Sequence, residues 1–240
     1  MFKSNLHPFL LLRYSIFILF LCTLYSCKKD VAPPIDMGYG YFPTEIGKWI
    51  IYDVDSTVYD GFYDTVITYQ YQIKEVVEST FIDNQGRETQ RIERYKRLNS
   101  SLQWIIKDVW FSNRTTSTAE KVEENVRFIK LTFPVNLGNS WDGNSFNTMD
   151  EWNYEYTEVD APCTINTLLF DSTATVLQIY EENLIEKQYY LEKYAKNVGL
   201  IYKELIDVAD NSSEIDFEKP LMTRISTGVI FTMRINSYGT

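Results

Sequence analysis

From Phe42 onward, apolar and polar residues alternate with a period of two, the mark of strands that bury one face. In 48–59, Ile50, Tyr52, Val54 and Val58 share a face, with Asp53, Asp55 and Thr57 on the other. Asp60-Gly61 supplies turn chemistry. In 63–77 the odd positions Tyr63, Ile67, Tyr69, Tyr71, Ile73 and Val77 form a second apolar face, so the two segments predict a long hairpin. Asn84-Gln85-Gly86 marks the next turn. The charged segment 88–98 predicts an exposed strand, and 102–111 (LQWIIKDVWF), apolar on both faces, predicts a central one.

Segments 114–123 and 126–133 predict a pair that turns at Glu124-Asn125. In 151–159, Trp152, Tyr154 and Tyr156 stand together against Glu151, Asn153 and Glu155. Segments 173–180, 185–194, 199–208 and 224–235 continue the series, the last with Ile225, Val229, Phe231, Met233 and Ile235 facing in. About eleven strands at this spacing predict an all-β domain, antiparallel, as a meander in a curved sheet or barrel, with a β-sandwich as the alternative.

One motif occurs twice. Phe42-Pro43-Thr44-Glu45-Ile46-Gly47-Lys48-Trp49 matches Phe133-Pro134-Val135-Asn136-Leu137-Gly138-Asn139-Ser140-Trp141 as Phe-Pro-x-x-Ile/Leu-Gly followed by Trp. Proline cannot donate within a ladder, so each copy predicts an entry corner whose glycine takes a positive φ. The echo divides the expected single domain, 41–240, into two related halves, 41–132 and 133–240. A ligand site built from Trp49 and Trp141 is the alternative use of the repeat.

The N-terminus breaks the pattern. Lys3 and Arg13 precede the unbroken apolar run YSIFILFLCTLY from Tyr14 to Tyr25, and Leu24-Tyr25-Ser26-Cys27 follows. A charged start, a short apolar core and a small residue before the cut form a secretory signal helix. A membrane-crossing helix needs about 20 apolar residues, and reaching that length would bury Arg13. The Ser26-Cys27 junction resembles the lipobox of bacterial lipoproteins. That resemblance implies a signal peptide at 1–26 and acyl chains on Cys27. An uncleaved anchor and a plain secretory signal are the alternatives. Residues 27–40 (CKKDVAPPIDMGYG), charged and then rich in Pro and Gly, predict a flexible tether.

Composition narrows the chemistry. The formal charge is −10, and loss of 1–26, which hold Lys3, Arg13 and no acid, leaves −12. No basic stripe for nucleic acid exists. The sole histidine, His7, and Cys22 leave with the signal, so Cys163 is the one unmodified thiol of the mature chain. Histidine-based triads and His- or Cys-rich zinc sites therefore lose their members, and no cofactor is implied. Asp53 and Asp55, about 7 Å apart on one strand face, are the carboxylate pair a glycan hydrolase would need. The acidic run 207–216 lacks the ligand order of an EF-hand loop and predicts a solvated hairpin loop. The aromatics Trp104, Trp110, Trp152, Tyr154 and Tyr156 are the candidate ligand-binding residues, able to stack on sugar rings or line an apolar pocket.

The segments YFPTEIGKWIIYDVDS at 41–56 and YAKNVGLIYKEL at 194–205 resemble Bacteroidetes cell-envelope lipoproteins. These open with Phe-Pro, a spaced Gly and Trp after the lipobox, and carry a later Tyr-Ala-x-x-Val-Gly-Leu. Here Trp49 comes one residue earlier than usual, and Lys196-Asn197 stands for Pro-Gly. The resemblance implies a β-rich lipoprotein with no assigned activity, anchored in the outer membrane on its periplasmic or cell-surface face. The expected role is non-catalytic, either structural or binding a glycan or hydrophobic ligand. A carboxylate-based glycan hydrolase and an accessory subunit of an envelope complex are the alternatives. Mass spectrometry of the membrane-extracted protein is expected to find Cys27 as an acylated N-terminus. Retention of residues 1–26 without fatty acid would refute this.

Overall fold

The computed structural model describes residues 34–240; the signal helix, Cys27 and most of the tether lie outside the described residues. The packed unit begins at Asp36, so the last part of the segment predicted as tether belongs to it. Asp36 pairs with Lys196 at 2.9 Å, and the Met37 carbonyl accepts the Val135 N–H at 3.1 Å. Tyr39–Tyr41 form a 3-10 turn in which the Tyr39 ring meets Phe133 edge-on at 4.8 Å. These contacts reach distant residues, so local sequence carries no period that reveals them.

The strands are β1 (Trp49–Asp60), β2 (Thr65–Ile82), β3 (Glu88–Arg97), β4 (Ile105–Arg114), β5 (Thr118–Glu123), β6 (Val126–Thr132), β7 (Ser140–Asp142), β8 (Asn153–Ile165), β9 (Leu168–Glu182), β10 (Glu186–Ala195), β11 (Gly199–Ala209) and β12 (Thr227–Gly239). They form a single sheet in the order β6-β5-β4-β3-β2-β1-β12-β11-β10-β9-β8-β7. Two six-stranded meanders are thus joined by the antiparallel β1–β12 pair. The meander, not the sandwich, is what forms.

Its outer strands curl back toward each other into a nearly closed barrel, and side chains help to bridge the gap. The Ile129 N–H donates to the Gly143 carbonyl at 2.9 Å, and the Trp141 indole N–H donates to the Ile129 carbonyl at 2.9 Å. The Tyr156 hydroxyl accepts the Thr132 N–H at 3.0 Å and donates to the Thr132 carbonyl at 2.8 Å. Asn147 donates to the Arg127 carbonyl at 2.9 Å. Backbone groups that an open edge would leave unpaired are satisfied in this way.

The two Phe-Pro corners share one hydrogen-bond scheme. The Gly47 N–H donates to Val77 and the Val77 N–H donates to Lys48, while Gly138 does the same to Tyr156 and Tyr156 to Asn139. Gly47 and Gly138 hold φ near +92° and +79°, as expected for corners that ask for glycine. Phe42 and Phe133 enter one core cluster with Tyr41, Leu131, Trp141, Tyr154, Tyr156 and Tyr194. A second cluster gathers Tyr52, Val54, Ile73, Ile165, Phe170, Ile201 and Ile235, with Cys163 half-buried against it.

Local expectations fail where neighbours matter. β3 is not exposed: Thr89, Gln90, Ile92 and Arg94 are buried. The start of β4 is not central, since Ile105 and Ile106 are exposed; β5 pairs only with Phe111–Arg114, which leaves the earlier part of β4 with one neighbour. The first hairpin turns through a longer loop than Asp60-Gly61, with the Asp60 carboxylate accepting the N–H groups of Phe62 and Tyr63. β7 has three residues, too few to show alternation.

Gly228 tests the β11–β12 pairing. Its φ is +121°, and a Cβ there would lie 2.1 Å from the Asp207 carbonyl oxygen, whereas at Gly47 a Cβ would meet nothing within 4 Å. Gly228→Ala is expected to cost roughly 3 kcal/mol or more in urea unfolding, and Gly47→Ala only about 1–2 kcal/mol of backbone strain. Equal costs would contradict the register.

Candidate functional site

Cross-strand partners share a face, and the register places a set of charges on the face that also carries Tyr52, Val54 and Met233. Glu75 stands opposite Ile50 and Arg94, and Arg94 opposite Asp108. Lys121 lies opposite Ser112 and Phe128. Glu192 faces Lys203 and Val176, and Lys203 faces Met233. Lys130 sits at the bulge where Ala119 pairs with Leu131 and Glu120 with Ile129.

These residues form two chains of ion pairs inside the barrel. Arg94 donates to Glu75 at 2.8 Å and to Asp108 at 2.9 Å, and Lys121 reaches Glu75 at 3.0 Å. Lys130 lies 3.2 Å from Glu123 and 3.1 Å from Glu192, and Lys203 lies 3.2 Å from Glu192. The Tyr194 hydroxyl donates to the second Glu192 oxygen at 2.6 Å. Glu192 and Lys130 are among the most enclosed, with side chains 1% and 5% exposed.

Burial alone would raise the carboxylate pKa values, but the cations outweigh it. Lys130, Lys203 and Lys121 hold Glu123 down at about 2, and Glu192 is depressed chiefly by Lys130 and Lys203. Glu75 is depressed by Lys121 and Arg94. For Lys130, burial works toward the neutral amine, yet Glu123 and Glu192 raise its pKa. Burial pushes the Tyr52 and Tyr194 phenols up, the latter helped by Glu192. At neutral pH the carboxylates and Lys130 are therefore charged and the phenols neutral.

A cavity of about 320 Å³ opens against this network. Phe42, Trp49, Tyr52, Tyr194 and Tyr238 supply its rings, and Glu75, Lys121, Glu123, Lys130 and Glu192 its polar wall. Trp49 is set by the close approach of β12, where a Cβ on Gly239 would fall 2.8 Å from its ring. Such a space can enclose a small molecule that is mostly apolar and meets fixed charges at one side.

None of the five predicted ligand-binding aromatics lines this cavity. Tyr154 and Tyr156 are 2% and 0% exposed in the core cluster around Trp141, because seam closure occupies their faces. Trp110 is half-buried under Arg94, whose guanidinium lies 3.4 Å from the ring centroid, with Lys121 4.8 Å away. Trp104 lies beneath Arg97 at 4.2 Å, and Trp152 packs on Tyr190 at 5.1 Å. Of the repeat's tryptophans, Trp49 reaches the cavity and Trp141 the core. Asp53 is held by Gln72 at 2.7 Å and Asn236 at 2.8 Å. Asp55 is held by Gln70 at 2.8 Å and Arg234 at 2.6 Å. In the acidic run, Asp210 is buried and paired with Arg224. Cys27 lies outside the described residues.

The inner charges were missed because a charged residue reads as exposed. A signal was present: Glu75 falls in the odd, apolar phase of 63–77, and Glu192 shares the phase of Tyr190.

No family model and no curated protein matches the chain. Two solved structures are similar to it. One is described as an exported protein with a YmcC-like fold from Bacteroides fragilis NCTC 9343, at TM-score 0.45 and 10% identity over 83% of this chain and 98% of that one. The other is described as a lipoprotein from Parabacteroides distasonis ATCC 8503, at TM-score 0.38 and 9% identity over the same shares.

Because Glu123 titrates lower in the folded chain than its ordinary 4.5, the stability it contributes is complete above that value and lost as pH falls toward about 2. Glu192 and Glu75 act in the same direction. The urea midpoint is expected to hold from pH 8 to about 5.5 and to fall steeply below about 4.5. Glu123→Gln should cost roughly 3–5 kcal/mol at pH 7 and flatten the acid limb. A midpoint unchanged down to about pH 3 would remove the network from the stability of the fold.

Proposed function

We propose that this chain is a lipid-anchored cell-envelope protein that holds a small, largely hydrophobic ligand in the cavity behind Trp49 without turning it over. The lining of the cavity carries this reading. Small-molecule sites are commonly concave, about 300–1,000 Å³, mostly apolar and oriented by a few polar groups. The rings of Phe42, Trp49, Tyr52, Tyr194 and Tyr238 answer the first demand, and the ion pairs answer the last.

Binding is favoured over proton transfer because a general acid or base works best near the operating pH. Glu75, Glu123, Glu192 and Lys130 are all displaced away from neutrality. Asp53 and Asp55, the pair for glycan hydrolysis, have their oxygens engaged by Gln72, Asn236, Gln70 and Arg234. A hydrophobic ligand is favoured over a glycan, since sugar stacking needs open ring faces and Tyr154 and Tyr156 are enclosed. The address, an outer membrane reached through Cys27, rests on the Ser26-Cys27 junction and the tether. Pro43, Lys48 and Asn197 line the cavity, and the Asn197 N–H donates to the Gly40 carbonyl at 2.7 Å. The ligand would therefore sit at the end of the barrel where the chain enters.

Native mass spectrometry of the full-length protein released from its own membranes is expected to show one small-molecule adduct per chain. Val77→Trp, which fills the cavity, should remove that adduct while circular dichroism remains that of the parent. Trp49→Ala should weaken its retention. Equal adducts on all three proteins, or none on the parent, would overturn the reading.

A further inference from the structure

β2 is the longest strand, and its first residues lack a second neighbour. β1 pairs with it from Thr65 to Val76, but β3 pairs only from Gln72 to Ile82. Thr65–Tyr71 (TVITYQY) therefore presents an open edge about 24 Å long, extending beyond the end of β3. It carries no charge, no proline and no break in its register with β1. From Thr65 to Gln70 its side chains are exposed, Val66 at 62%, Ile67 at 44% and Tyr69 at 48%, while Tyr71 is half-buried beneath Lys96; Phe62 at the hairpin tip reaches 87%.

Edges of this kind recruit other strands, and folded proteins ordinarily blunt them with charges, proline or bulges. The other open stretches of this sheet are blunted. Early β4 carries Lys107 and Asp108, and β8 carries Glu158, Asp160, Pro162 and three register breaks against β9. Among the described strands, only the start of β2 omits every device, in a chain of net charge −10.

We propose that Thr65–Tyr71 pairs antiparallel with the same strand of a second copy, about a two-fold axis at Thr68, to continue one sheet across both molecules. Charge selects this occupant. Two acidic copies repel over most of their surface, and this strip lets them meet without opposing carboxylates. In that register Ile67 faces Tyr69, Val66 faces Gln70 and Thr65 faces Tyr71, each pair occurring twice. No like charges are opposed, and aromatic with β-branched pairs are among those that stabilise a sheet. A closed two-fold contact also uses the edge up and leaves nothing for a third copy.

The full-length Thr68→Cys protein, treated in intact cells with a short bifunctional maleimide, is expected to give a covalent species of twice the monomer mass. Thr57→Cys, one strand inward, and the parent with its Cys163 should not. In mild detergent, Ile67→Lys should weaken self-association by about tenfold or more, since a charge would stand opposite Tyr69 in both pairs and the two lysines would lie diagonally across the axis. Its melting temperature should stay within a degree or two, as expected for a substitution at an exposed site. A parent that stays monomeric at all concentrations would overturn the proposal. So would a Thr68→Cys adduct whose mass fits a different protein. Both readouts are independent of cavity occupancy, so the proposal fails or stands apart from the ligand reading.

Discussion

Charge buried on the inner face is the constraint that this barrel must satisfy. Glu75, Asp108, Glu123 and Glu192 face Arg94, Lys121, Lys130 and Lys203 in the interior, and removing ions from water costs several kcal/mol each unless partners are in place. The partners come from distant strands. Lys130 of the first meander reaches Glu192, 62 residues away in the second, and Lys121 reaches Glu75 across 46 residues. The network thus braces the two meanders against each other across the interior. It also selects register. A slip of one residue in β2 would turn Glu75 outward and Lys74 inward, leaving Arg94 and Lys121 without their shared anion.

Closure makes the second demand, and much of the aromatic content meets it. Trp141 and Tyr156 bond to the backbone of β6 across the seam. Tyr39, Phe42 and Phe133 bring the two Phe-Pro corners together. Trp110 lies beneath Arg94 and Lys121, where its ring face offsets part of the desolvation of two cations. Trp49 is left at a space that neither closure nor the ion network fills. Tyr154 and Tyr156 thus pack into the core and Trp110 beneath the cations, and the cavity forms where the first corner, β12 and the charged wall meet.

The pattern of the chain made the fold class readable. Alternation located most strands, Glu124 and Asn125 take the positive φ that a two-residue turn requires, and both Phe-Pro-x-x-Ile/Leu-Gly segments became corners with the same hydrogen bonds. The candidate site was far less legible. Glu75 and Glu192 occupy buried phases of their strands, yet a carboxylate in such a phase reads as an interruption until its cation is known. In 88–98 the charges read as exposure, although Arg94 is buried between Glu75, Asp108 and Trp110.

By itself, the sequence determined which residues alternate, where the chain turns and which catalytic side chains a processed chain would lack. These are properties of near neighbours, set by a period of two and by the backbone demands of glycine and proline. Tertiary structure alone decided that β1 pairs with β12, that β6 meets the β7–β8 end of the sheet through side chains and a backbone bond to Gly143, and that Thr65–Tyr71 stands without a second neighbour. Alternation assigns a residue to a face but is silent about which strand lies beside it. Burial, charge pairing and open edges all follow from that choice of neighbour.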